Sequence, residues 1–478
     1  MMNSQILVNI SYAKRSWWIF TSLVMAFLIG ILIALSMNQV ALLLLLVPFF
    51  AIAISRSRSH YLLVFVTAIW SFFWLPGIPL TLWSTLKDAL LIGAIVIILG
   101  LQLLSENKGL VKFFDTVTSR ILCLFLISSV LGVISSPDVL RSAEIWARFL
   151  FAFLQYYAFL LLFRRMPWLL IKFAKLLIFS VLISSIYILL AQNNLIPVFQ
   201  PPVEFLYKDP ITLGFNSRSN AMAWAISFVA PLVTAFALTY KSRSRRKYYF
   251  WLSSLVILGV VCVSTSGRGG LIATIFSSLI VFTASMPRGR LSRIAYPLML
   301  LIIVGAFIVT NPVFNKLTRN VPVIEYLVRG QPLSESQWNV LSSDRTEYIR
   351  ISLEHIKKNP LIGVGYGNYT YVLRQAGLGG TSAHNLYLGI AVEAGIFVAV
   401  IVLIFMGYIV IHFGKLSQDW VARHNSILLP ALYGVIFSYF VQSLFDVSSF
   451  FYSFHLGLPF WIALAGLDAL TPSQMSQT

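Results

Sequence analysis

Three short stretches of this chain carry side chains suited to moving a proton or meeting an anion. The first is Thr381-Ser382-Ala383-His384-Asn385-Leu386-Tyr387-Leu388. Imidazole titrates close to ambient pH, so His384 has the chemistry of a general base, with Ser382 or Asn385 beside it to orient the ring. The second is Ser264-Thr265-Ser266-Gly267-Arg268-Gly269-Gly270, in which one arginine stands among glycines. Residues without a Cβ let guanidinium and bare backbone N–H groups approach an anion together. The third is Arg345, which opens an amphipathic stretch in the longest polar excursion of the chain. Each has a plainer alternative: a histidine at a helix start serves as a cap or interface hydrogen-bonder, and an arginine at a helix end snorkels to the membrane surface.

The elements that must position these residues are set by composition. Of 478 residues, 58% are apolar or aromatic and only 11% are charged, with a mean hydropathy of +0.84. A water-facing exterior carries about 25% charged residues, so most of this exterior faces lipid. The apolar runs are continuous rather than alternating with period two, which excludes a transmembrane barrel, and a soluble enzyme with a single anchor is excluded as well. Apolar segments fall near residues 17–37, 40–54, 61–78, 86–104, 120–134, 145–163, 168–191, 219–240, 248–264, 270–285, 294–310, 385–413, 427–444 and 449–468. The expected fold is an all-α polytopic membrane protein of about 14 (12–14) transmembrane helices, each needing about 20 residues. The first segment follows Lys14 and Arg15 and is too long for a signal-peptide core, so it reads as an uncleaved span.

Charge fixes the expected orientation. With the N-terminus in the cytoplasm, the inner loops hold 21 Lys and Arg residues and the outer ones 14, eight of these in one long loop. The net charge of +19 is then mostly topology, and nucleic acid is not implied as a partner. The run Lys241 to Lys247 has a ready explanation as an anchor for anionic lipid. Two outer excursions, 192–217 and the 73-residue 311–383, exceed ordinary connections. The chain therefore divides into an N-terminal transmembrane bundle (1–191), a transmembrane region with outer arginine loops (192–310), the long outer loop (311–383) and C-terminal transmembrane helices (384–478). Within the long loop, Asp344 and Glu347 form a capping box and Pro360 ends the helix. Ile349, Leu353 and Ile356 make its expected apolar stripe, with Glu347, Arg350, Glu354, Lys357 and Lys358 opposite. Arg345 falls in phase with that stripe and should point toward the membrane domain.

The remaining candidates carry less. His60, His355, His412, His424 and His455 show no metal-ligand spacing, so no metal is expected. Cys123 and Cys262 lie in apolar runs and imply no disulfide framework. Glu393 and Asp446 are acids at or in the membrane able to pair with the outer arginines. Gly363-Val364-Gly365-Tyr366-Gly367 follows a helix rather than a strand, which rules out a nucleotide loop.

Taken in order, Gly214-Phe215-Asn216 with Asn220, Thr265-Ser266-Gly267-Arg268-Gly269, Arg345, Asn359-Pro360-Leu361-Ile362-Gly363-Val364-Gly365 and His384-Asn385-Leu386-Tyr387-Leu388 resemble the O-antigen ligase and Wzy polymerase family of bacterial membrane glycosyltransferases. The likeness runs from about Gly214 to Glu393. The family turn reads Ser-Arg-Gly, and here Gly267 precedes the arginine. The resemblance implies a GT-C-like helical fold in the bacterial inner membrane, with its long outer loop as a helical lid over a lateral cavity. It implies inverting, metal-independent transfer of a glycan from an undecaprenyl-pyrophosphate donor to a glycan or lipid acceptor at the periplasmic face, without a cofactor. In that reading Arg268, Arg345 and His384 are catalytic, and Arg218, Asn220, Asn385, Tyr348 and Tyr366 bind substrate. Membrane lipids and a chain-length regulator are the further partners it suggests. Polymerisation of lipid-linked repeat units is the leading expectation, transfer of a finished glycan to lipid A core or another acceptor the second, and anion transport a third of a different class.

Overall fold

The computed structural model describes residues 114–192, 195, 219–264, 268–285, 345–377, 384–424, 426–445 and 454–471. Among them the chain forms α1 (Val117–Ile134), α2 (Val139–Arg165), α3 (Trp168–Gln192), α4 (Ser219–Tyr240), α5 (Arg245–Ser264), α6 (Arg268–Ala284), α7 (Arg345–Lys358), α8 (Tyr369–Gln375), α9 (Leu386–Ala394), α10 (Ile396–His424), α11 (Leu428–Gln442) and α12 (Phe454–Ala469), with no strand. The spans expected near 17–37, 40–54, 61–78, 86–104 and 294–310 lie outside the described residues.

Six of the described helices are long and apolar enough to cross a membrane: α1, α2, most of α3, α4 and α10, and α5. Three more, in α6, α11 and α12, are apolar but shorter. Serine hydroxyls in these helices bond back to carbonyls of the preceding turn, as Ser128 does to Leu124 at 2.7 Å and Ser185 to Val181 at 2.8 Å. Such hydroxyls need no partner from lipid. Helix α4 sits at the centre of one group, packed against α3, α5, α6 and α11, while α12 packs on α2 and α11, and α1 on α2 and α10. The bundle core is aromatic, with Tyr156, Phe149, Phe159, Phe163, Phe228, Phe405, Phe413 and Trp461 each under 2% exposed.

One expected span is divided. The apolar run 385–413 forms two helices, α9 and α10, broken at Gly395, whose φ is +88°. The break is built in, because a Cβ there would overlap the carbonyl oxygen of Leu361, and the next amide, of Ile396, donates to Pro360 O at 2.8 Å. A left-handed backbone with no room for a side chain leaves glycine as the residue that fits. Hydropathy does not register such a break. The short α9 lies across one end of the bundle: its start bonds to the turn closing α11, and its end packs at the C-terminal end of α1, where a Cβ on Gly132 would stand 3.4 Å from Ala394 Cα.

Candidate functional site

Four of the helices that begin at that same end do so at or beside a residue singled out by the sequence. Arg268 is the first residue of α6 and Arg345 the first of α7, Asn220 lies in the first turn of α4, and His384 stands just before α9. The glycines after Arg268 explain how closely α6 can approach its neighbours. A Cβ on Gly270 would stand 2.6 Å from Ala223 Cβ in α4, and one on Gly269 would stand 2.9 Å from Phe445 Cβ, in the turn after α11. Small residues at these crossings permit backbone-to-backbone contact.

The turn 443–445 also holds α9. The amide of Leu386 donates to Ser443 O at 2.9 Å, Asn385 Nδ2 donates to Leu444 O at 3.3 Å, and Tyr387 Oη donates to Phe440 O at 3.0 Å. Asn385 Oδ1 meanwhile accepts from the amides of Tyr387 and Leu388, at 3.0 and 3.1 Å, as the N-cap of α9. His384, immediately before this cap, has φ +47° and is the one described non-glycine residue with positive φ. Its ring centroid lies 5.7 Å from that of Tyr348, tilted by 45°.

Tyr348 is carried by α7, and here the packed face differs from the expected stripe. Ile351 and Ser352 are buried at 2% and 0% exposure, whereas Ile349 and Leu353 are 41% and 47% exposed. Docking of α8 and α9 decides the face: Ile351 packs with Tyr369, Val372, Leu373 and Val392, and Ser352 Oγ lies 2.6 Å from Tyr369 Oη. Ser352 Oγ donates to Tyr348 O at 2.6 Å, and Tyr369 Oη lies 3.2 Å from the same oxygen. Burial and the nearby Tyr348 phenol raise the Tyr369 pKa, against the lowering effect of its bond to Ser352, so its hydroxyl stays a donor. The polar face carries Arg350 paired to both Glu347 and Glu354.

The glycine-rich stretch after α7 is a strap. Amides of Val364 and Gly365 donate to Val392 O and Glu393 O, both at 2.9 Å, and the amide of Gly367 donates to Glu393 Oε1 at 3.1 Å. Ser142 Oγ donates to Tyr366 O at 2.7 Å, and Asn368 Nδ2 to Ser136 Oγ at 2.8 Å, tying the strap to the α1–α2 turn. Gly365 has φ +86°, and a Cβ there would stand 2.7 Å from the Ser136 backbone. Glu393 thus holds a backbone loop. Tyr366 is fully buried, edge-on to Phe149 with ring centroids 5.0 Å apart, and burial raises its phenol well above the ordinary range. Its ring is enclosed inside the bundle by Gly132 and Phe149.

The structure therefore gathers Tyr348, His384, Asn385 and the backbone starts carrying Arg268, Arg345 and Asn220 around one end. Arg218, Ser382 and Asp446 lie outside the described residues, as do the side chains of Asn220, Arg268 and Arg345. Sequence reasoning passed over one buried acid at the opposite end. Asp468, 5% exposed, accepts from Tyr156 Oη at 2.7 Å, and Tyr156 Oη lies 2.9 Å from Thr116 Oγ1. Arg164 and Asp115 stand 3.6 Å apart nearby. A lone carboxylate in an apolar run was the signal for it.

Residues 253–403 match the O-antigen ligase family. The match covers about a third of the chain, from within α5 into α10, and includes Arg268, Arg345 and His384. The match and the six described helices long and apolar enough to cross a membrane together support a multi-pass membrane protein. No curated protein matches the chain.

Proposed function

We propose that this O-antigen ligase-family protein is an inverting, metal-independent glycosyltransferase that moves a glycan from an undecaprenyl-pyrophosphate donor to an acceptor hydroxyl. The observation that carries the proposal is the meeting of the α6 and α9 starts at the 443–445 turn, with the start of α4 against α6 at Gly270 and Tyr348 of α7 against His384. In the reaction the acceptor oxygen attacks the anomeric carbon, the bond from that carbon to phosphate oxygen breaks, and the pyrophosphate leaves with the electron pair. The acceptor proton passes to the imidazole of His384 acting as general base. Arg268 and Arg345 stabilise the charge that grows on the leaving group, and helix-start N–H groups add to that field. Tyr348 orients the imidazole, and Asn220 and Arg218 contact sugar or phosphate. The bundle end rich in Arg164, Arg165, Lys172, Lys175 and Lys241 to Lys247 faces the cytoplasm by the positive-inside rule, which turns the reacting end outward in the bacterial inner membrane.

The number of apolar runs favours polymerisation, with a second lipid-linked unit as acceptor and a chain-length regulator as a partner; the family description favours a ligase. The family match favours both over anion transport. Purified protein incubated with a synthetic undecaprenyl-pyrophosphate oligosaccharide separates them. A ladder of repeats, absent with His384→Ala, is the result expected of a polymerase. Single transfer that requires an added lipid or core acceptor makes it a ligase. Failure to consume the donor, by folded wild-type protein supplied with either acceptor, overturns glycosyl transfer.

A further inference from the structure

The turn that closes α11 touches two of the proposed reacting elements at once, and it does so through different atoms. On one side the Phe445 side chain fills the space left by the missing Cβ of Gly269, one residue from Arg268. On the other side, Ser443 O and Leu444 O receive the Leu386 amide and the Asn385 side-chain amide, the first two residues after His384. The turn is itself fixed by the helix it ends: the Ser443 amide donates to Tyr439 O at 2.9 Å, and the Phe445 amide to Gln442 O at 2.8 Å. Ser443 is 1% exposed.

We infer that the 443–445 turn is the spacer that sets His384 against Arg268, with Asn385 and Phe445 as positioning residues rather than substrate contacts. Asn385 serves two functions with one amide. Its oxygen caps α9, and its nitrogen locks that cap to Leu444 O, so the left-handed backbone of His384 is carried with the α11 turn and not with α9 alone. A general base and a charge-stabilising group work as a pair only at a fixed spacing, and a displacement of about 1 Å can lower the rate about a hundredfold. This inference rests on the glycosyl-transfer reading.

The test separates the two halves of the amide. Asn385→Ser and Asn385→Asp keep a side-chain oxygen for the cap but remove the N–H donor to Leu444 O, and both residues cap helices well. Steady-state turnover of the synthetic undecaprenyl-pyrophosphate oligosaccharide is measured with wild type, His384→Ala, both Asn385 variants and Gly269→Ala, with melting of the detergent-solubilised proteins as control. The expected result is wild-type melting for the two Asn385 variants, kcat lowered about tenfold or more, and KM for the donor unchanged within about twofold. Gly269→Ala, which pushes Phe445 away from α6, is expected to lower kcat in the same way. A rise in KM at unchanged kcat makes Asn385 a substrate contact and overturns the inference, as does wild-type kcat in all three variants. If instead folded wild-type protein does not turn over the donor, the glycosyl-transfer reading itself fails.

Discussion

The two ends of the bundle each bury an acid, and they use it differently. At the proposed reacting end the Glu393 carboxylate accepts from the backbone amide of Gly367, and the surrounding bonds are mostly made by main-chain groups of a glycine strap. At the opposite end Asp468 is held by a side chain, Tyr156, 312 residues away in sequence, and Tyr156 reaches on to Thr116. Main-chain ties fix the path of a loop and hence the direction in which its neighbours point. Side-chain ties fix which helices stand together. The contrast teaches that the reacting end is built for placement and the opposite end for assembly, so their variants should fail in different assays.

The sharpest break of that contrast comes from the arginines. Arg268→Ala and Arg345→Ala are each expected to lower turnover about 10²- to 10³-fold with unchanged melting, read from donor consumption by solubilised protein. Next in size is the break between α9 and α10: Gly395→Ala should destabilise by at least about 1–3 kcal/mol through its positive φ alone, with the overlap at Leu361 adding to it. Both melting temperature and turnover should fall for that variant. Asp468→Ala leaves the Tyr156 hydroxyl without its acceptor and should destabilise by about 1–3 kcal/mol, while turnover per folded molecule stays within about twofold. Thr116→Val removes the outermost member of the chain and should lower stability by about 0.5–1.5 kcal/mol, seen as a small shift in melting.

Much of this was legible before the structure. The apolar runs between residues 120 and 285 became α1 to α6 with ends within a few residues of those expected, because long apolar stretches bounded by lysine and arginine leave little choice in a bilayer. The helix opened by Arg345 was visible from Glu347 to Pro360. What the pattern missed depended on partners distant in sequence. Gly395 breaks a run of uniform hydropathy because Pro360 and Leu361 press against it. The packed face of α7 was rotated from Ile349 and Leu353 to Ile351 and Ser352 by Tyr369, a residue that periodicity within α7 does not contain. The burial of Tyr366 against Phe149 and Gly132 likewise depends on partners more than 200 residues away in sequence.

The most direct test compares initial rates on one synthetic undecaprenyl-pyrophosphate oligosaccharide for wild type, Arg268→Ala, Arg345→Ala, His384→Ala and Asp468→Ala, each at a temperature well below its own melting. The account predicts at least about a hundredfold loss for the first three variants and a rate within about twofold of wild type for Asp468→Ala. Rates within about fivefold of wild type for any of the arginine or histidine variants would contradict it.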